Sequence, residues 1–98
     1  MKKIGRGVRD AAFVARLRPN DLAVSRLAVT APRTVGISTL RNRARRRVRE
    51  AFRQACAASD GTPQDILVIV RREAISADFS TLRAAAQAAL GTTRQPRA

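Results

Sequence analysis

Between Arg41 and Arg53 the chain sets seven arginines and one acid, Glu50, around four apolar residues, Ala44, Val48, Ala51 and Phe52. A bare arginine run of that density would stay solvated, and the apolar threading changes the outcome. At about 100° per residue, Leu40, Ala44, Val48, Ala51, Phe52 and Ala55 gather on one stripe with the i, i+3, i+4, i+7 spacing of a buried helix face. Arg43, Arg46, Arg47, Arg49 and Arg53 then project away from the core. Arg41 and Arg45 flank the stripe, with their methylenes along it and their guanidinium groups in solvent. Gly36 and the hydroxyl of Ser38 or Thr39, an acceptor for the first-turn amides, mark the entry. Ser59-Asp60-Gly61-Thr62-Pro63 marks the exit. The spacing predicts one helix over residues 38 to 58, pinned on one side and presenting charge on the other.

The rest of the composition says what that charge is for. Lys and Arg outnumber Asp and Glu by 20 to 7, a formal net charge of +13, and only Lys2 and Lys3 of the basic residues are lysine. A polyanion partner follows, and the planar arginine fork suits bidentate phosphate contacts and stacking on bases. Nucleic acid is favoured over membrane because no apolar run reaches spanning length and there is no Trp or Tyr for an interfacial belt. The amino-terminal Met1-Lys2-Lys3-Ile4-Gly5-Arg6 is basic but leads into no apolar h-region, so a cytoplasmic protein is expected. With 98 residues the chain makes a single domain with a small core. Residues 1–8 and 91–98, which lack apolar periodicity, are expected to be mobile.

Catalytic chemistry is poorly supplied. There is no histidine, and Cys56 is the lone cysteine, so neither a zinc cluster of usual spacing nor an intrachain disulfide is available. The usual general bases and nucleophiles are missing, and we expect no catalytic and no metal-ligating residues. Asp60 and Asp65 are explained by turn formation and strand entry, and Cys56 as a structural helix residue.

Elsewhere the pattern is strand-like. Phe13, Ala15 and Leu17 alternate with Val14, Arg16 and Arg18, the period-2 signature of a strand with one buried and one basic face. Pro19-Asn20-Asp21 is a turn signal, and residues 22 to 30 read as the returning strand of a hairpin. Arg33 to Gly36 reads as a short extended piece. The nearly continuous apolar run from Asp65 to Arg71 predicts a central strand covered on both faces. Ser80 is placed to cap a last helix with Leu82, Ala85, Ala86, Ala89 and Leu90 inward. The order strand, strand, short strand, helix, strand, helix predicts an α+β fold, a two-layer α/β sandwich with helices on a small mixed sheet.

One motif in the helix is distinctive. Val35-Gly36 is followed by Arg41-Asn42-Arg43, a spacer, Arg45-Arg46, two spacers, Arg49-Glu50, then Phe52-Arg53. This pattern resembles that of the protein component of bacterial ribonuclease P, with Arg45 where lysine is common. The segments from Phe13 to Thr30 and from Asp65 onward look like the family's leading strands and its post-helix strand and final helix. The resemblance implies a left-handed β-α-β crossover, against the usual right-handed rule. It also implies binding to the catalytic ribonuclease P RNA and to precursor tRNA, with removal of the 5′ leader. The RNA would carry out the hydrolysis with magnesium, and the protein would bind no cofactor by itself.

Matched position by position, Arg41, Asn42, Arg43, Arg45, Arg46 and Arg49 are the implied RNA contacts, extended by Arg53 and by Arg33 in the preceding loop. There Pro32-Arg33-Thr34 replaces a serine and two lysines, so Arg33 should contribute and Thr34 little. Phe13, Arg16 and Arg18 are the candidates for the leader. About ten residues precede Ala12, fewer than relatives usually carry, and an aromatic-bearing helix of the family is not among them. Leader binding is therefore expected to rest on charge more than on stacking. The alternative is a ribosomal or other structural RNA-binding protein with no part in cleavage. A helix-turn-helix DNA binder is disfavoured by the strand-like pattern of residues 12 to 30, and an autonomous nuclease by the missing catalytic groups.

Overall fold

The computed structural model describes residues 6–58 and 63–91. Four strands, β1 (Arg6–Arg9), β2 (Phe13–Pro19), β3 (Arg26–Thr30) and β4 (Gln64–Val70), form one sheet in the order β1-β2-β4-β3. Two helices, α1 (Ser38–Ala58) and α2 (Phe79–Gly91), and two short 3-10 turns, Arg33–Val35 and Arg72–Ile75, complete the fold. This is the mixed α+β arrangement expected, with α1 at its expected bounds.

The strand pairing differs from the expected one. β2 and β3 do not form a hairpin, because β4 lies between them, antiparallel to β2 and parallel to β3. The reason is apolar content: Ile66, Val68 and Val70 are the richest run in the chain, and a central position lets them pair with Leu17, Ala15 and Phe13 on one side and Leu27 and Val29 on the other. β3–α1–β4 is thus the parallel crossover unit of the fold. The real hairpin is β1–β2, unforeseen because Val8 is the lone large apolar residue of β1. It closes where the Asp10 amide donates to the Phe13 carbonyl at 2.8 Å and the Ala12 amide to Asp10 Oδ2 at 2.9 Å. Residues 6–8, counted among the mobile ends, are therefore ordered by pairing, whereas residues 1–5 and 92–98 lie outside the described residues.

Among the described residues only one face of the sheet is covered. Phe13, Ala15, Leu17, Ile66, Val68 and Val70 are buried against α1, whose Ala44, Val48, Ala51, Phe52 and Ala55 face them, with Leu82, Ala86, Ala89 and Leu90 of α2 closing the core. Phe13 and Phe52 meet edge to face with centroids 5.0 Å apart. On the other face Leu67 is 42% exposed, so β4 is not covered on both sides as its sequence suggested. Two helix starts also differ. Ser38 is already helical, with Ile37 at the cap accepting from the Arg41 amide at 2.9 Å. α2 begins where the Asp78 carbonyl accepts from Leu82, so Ser80 lies inside the first turn.

Candidate RNA-binding interface

α1 carries most of its charge where expected, with Arg41 and Arg47 drawn in from solvent. Asn42, Arg43, Arg46, Arg49 and Arg53 are exposed on the side away from the buried stripe, and Arg45 is exposed at its flank. Among the described residues the ion pairs formed are Arg18 and Arg26 with Asp65, and Arg53 with Glu50. Arg41, Arg43, Arg45, Arg46 and Arg49 therefore form no ion pair with a described carboxylate, and an external anion can relieve their mutual repulsion. Arg45 donates to Asn42 Oδ1 at 3.1 Å, which leaves the Asn42 amide nitrogen available as a donor.

Arg53 is the exposed arginine of α1 that already holds a carboxylate. Its Nε and Nη2 donate to Glu50 at 2.9 and 2.6 Å, and Gln54 donates to the same carboxylate at 3.0 Å. Those hydrogen bonds, that of Arg53 foremost, pull the Glu50 carboxyl down to about 2. An RNA phosphate at Arg53 must compete with this pair, so its part in the expected contact set is the weakest.

Arg47 departs furthest from expectation. Rather than projecting into solvent, it is half-buried, and its guanidinium donates to the carbonyls of Ala74, Ile75 and Ala77 at 2.9, 3.0 and 2.5 Å. These carbonyls end the turn after β4, and Arg47 clamps that turn to α1. The clamp brings the two 3-10 turns together: Arg72 Nη2 lies 3.4 Å from the Thr34 carbonyl. Arg33 and Arg72, one on each of these turns, are both exposed. Arg71 and Arg72 went unrecognised in the sequence because a strand end has no periodicity to assign them a face. Their only signal was a pair of arginines closing an apolar strand.

Gly36 joins the Arg33 turn to α1 at φ 146°, a conformation that favours glycine. A Cβ there would sit 3.4 Å from Leu40 Cδ1. The expected extended piece from Arg33 to Gly36 is thus a 3-10 turn, closed by the Gly36 amide on the Arg33 carbonyl at 3.1 Å.

The open face of the sheet is a second basic surface of another kind. Arg16, Arg18, Arg26, Ala28 and Leu67 surround a concavity of about 480 Å³ with Asp65 at one end. Asp65 accepts from Arg26 Nε and Nη2 and from Asn20 Nδ2, each at 2.9 Å, with Arg18 Nη2 at 3.8 Å. The Arg26 hydrogen bonds, then that of Asn20, hold the carboxyl well below the usual carboxylate range. Asp65 is therefore an organiser of guanidinium groups, as its strand-entry position suggested. Phe13, expected at the leader, is on the wrong face: it is 1% exposed beneath Phe52 and cannot stack on a nucleotide. Strand alternation explains this, because Phe13 shares parity with core residues Ala15 and Leu17, while Arg16 and Arg18 point to the open side. Cys56 is half-buried in α1, and burial pushes its thiol up, away from nucleophilic thiolate.

A family model described as "Ribonuclease P" matches residues 1–94. The chain belongs to the bacterial ribonuclease P protein component family. The ribonuclease P protein component of a Thermoanaerobacter species is 32% identical over 79 residues, covering 81% of this chain and 67% of its relative. That of Desulfatibacillum aliphaticivorans is 47% identical over 49 residues, half of this chain and 42% of the relative. The solved ribonuclease P protein of Thermotoga maritima superposes with a TM-score of 0.75 at 32% identity, covering 90% of this chain and 83% of the other. As a ribonuclease P protein component, the chain is a subunit of the ribonucleoprotein endoribonuclease that matures tRNA 5′ ends. Membership implies association with the ribonuclease P RNA. No helix among the described residues is long and apolar enough to cross a membrane.

Proposed function

We propose that α1 is the surface that holds the ribonuclease P RNA, through Arg41, Asn42, Arg43, Arg45, Arg46 and Arg49, with Arg33 beside the helix start and Arg53 at its edge. The observation that carries this reading is the row of exposed guanidinium groups with no carboxylate partner, mounted on a helix whose opposite side is the core. Such groups gain most from phosphate, because binding releases the counterions of the RNA. The 5′ leader of precursor tRNA crosses the open face of the sheet, where Arg16 and Arg18 reach its phosphates and Leu67 supplies the apolar floor.

The chain's own role is to bind and orient. Glu50 and Asp65 are each committed to a guanidinium group, so they do not fit a divalent ion. Magnesium belongs to the catalytic RNA, which supplies the hydrolytic chemistry. The test is cleavage of precursor tRNA at low magnesium by the cognate RNA, with and without the protein, beside a protein-only control. Stimulation confined to the reaction that contains the RNA supports the reading. Tight RNA binding without stimulation would favour a structural RNA-binding role.

A further inference from the structure

The apolar stripe of α1 continues past the point where the fold covers it. Ala44, Val48, Ala51, Phe52 and Ala55 are buried, and the same progression runs back through Leu40 to Ile37, which are 37% and 69% exposed. Leu40 is also one wall of a concavity of about 720 Å³ shared with Thr39, Asn42, Arg43 and Arg46. On the other flank Arg41 is half-buried, and its Nε has no hydrogen-bond partner. Two large aliphatic side chains thus stand uncovered between guanidinium groups.

The rim selects what covers them. Arg33, Arg41 and Arg43 form no ion pair among the described residues, so a second copy of a chain of net charge +13 would bring like charge to like. RNA brings phosphate for the rim, and an unstacked base brings a flat apolar face for the centre. α1 packs on the covered face of the sheet, away from the concavity at Arg16 and Arg18 assigned above to the leader, which favours the catalytic RNA as the occupant here.

We propose that Ile37 and Leu40 form an apolar seat for an unstacked nucleotide of the ribonuclease P RNA, with Arg41 and Arg43 on its flanking phosphates. This inference rests on the assignment of α1 to that RNA and adds a contribution of a different physical kind. Arginine contacts release counterions and weaken with salt, whereas an apolar seat contributes affinity that salt leaves almost unchanged.

The experiment titrates the full chain and its Ile37→Ser, Leu40→Ala and Arg43→Ala variants against the cognate ribonuclease P RNA at several monovalent salt concentrations. Ile37→Ser and Leu40→Ala should each weaken binding by roughly three- to tenfold with the slope of log K on log salt unchanged. Arg43→Ala should flatten that slope. Ile37 is exposed enough that its serine variant keeps the fold, which circular dichroism verifies. Wild-type affinity in both aliphatic variants, with Arg43→Ala still flattening the slope, overturns the seat and leaves the α1 assignment standing. Wild-type behaviour in all three variants overturns both. Weakened precursor tRNA binding in the assembled enzyme, with affinity for the catalytic RNA unchanged, overturns the choice of RNA.

Discussion

The two basic surfaces of this molecule differ in how their arginines are held. Among the described residues five guanidinium groups on α1 pair with no carboxylate, and the helix beneath them sets their positions. On the open sheet face Asp65 gathers Arg26 closely and Arg18 loosely, so part of the positive charge is answered inside the protein. The lesson concerns what each face is suited to do. Unanswered charge on a rigid helix gives affinity and steep salt dependence, whereas charge pinned around an apolar floor gives a shaped groove of lower net potential.

Val48→Asp should break the comparison altogether. Val48 is fully buried where α1 meets the sheet, and an unpaired carboxylate there should unfold the domain and abolish both surfaces. Loss of the far-ultraviolet circular dichroism signal is the expected readout.

Arg47→Met sharpens it, because Arg47 belongs to the arginine run by sequence and to the scaffold by geometry. Leaving three carbonyls without their donor should cost about 1–3 kcal/mol. The variant should melt at lower temperature yet bind the catalytic RNA almost as well as the parent. Arg46→Met should do the reverse.

The smallest effect is expected from Asp65→Asn. The folded-state pKa of Asp65 lies below its ordinary 3.8, so its contribution is fully present above that value and is lost as pH falls through the lowered pKa. Glu50 behaves alike, with its contribution fading from about 4.5 down to about 2. Thermal melts between pH 7 and pH 3 should show the parent losing stability on acidification, and Asp65→Asn losing less of it. The difference should be slight, since the arginine partners are exposed and solvent screens such pairs.

Much of this was legible in the chain, for identifiable reasons. α1 was read correctly because a 21-residue helix offers many turns of consistent period and has breakers beyond its end. Asp65 to Arg71 was legible as a strand, but its exposed Leu67 was not, because an apolar residue signals burial only when something is present to cover it. The false hairpin of residues 13 to 30 shows the limit of local pattern. β4, more than thirty residues further on, displaces β3 from β2 through a pairing that no window spanning the turn contains. Phe13 was misplaced although its alternation with Arg16 already put it with the core. Arg47 lies only about 40° from Ala51 on a helical wheel, at the edge of the buried stripe and apart from Arg46 and Arg49, so its inward position was legible; the turn that packs there was not.

The most direct test crosses the two surfaces. Affinity for the catalytic RNA alone, and the gain in affinity that a 5′ leader gives precursor tRNA in the assembled enzyme, would be measured for Arg43→Ala/Arg46→Ala and for Arg16→Ala/Arg18→Ala, both with intact circular dichroism. The α1 pair should weaken RNA binding by about tenfold or more and flatten its salt dependence, while the sheet pair spares RNA binding and erases the leader's gain. Unchanged RNA affinity in the α1 pair would contradict the account.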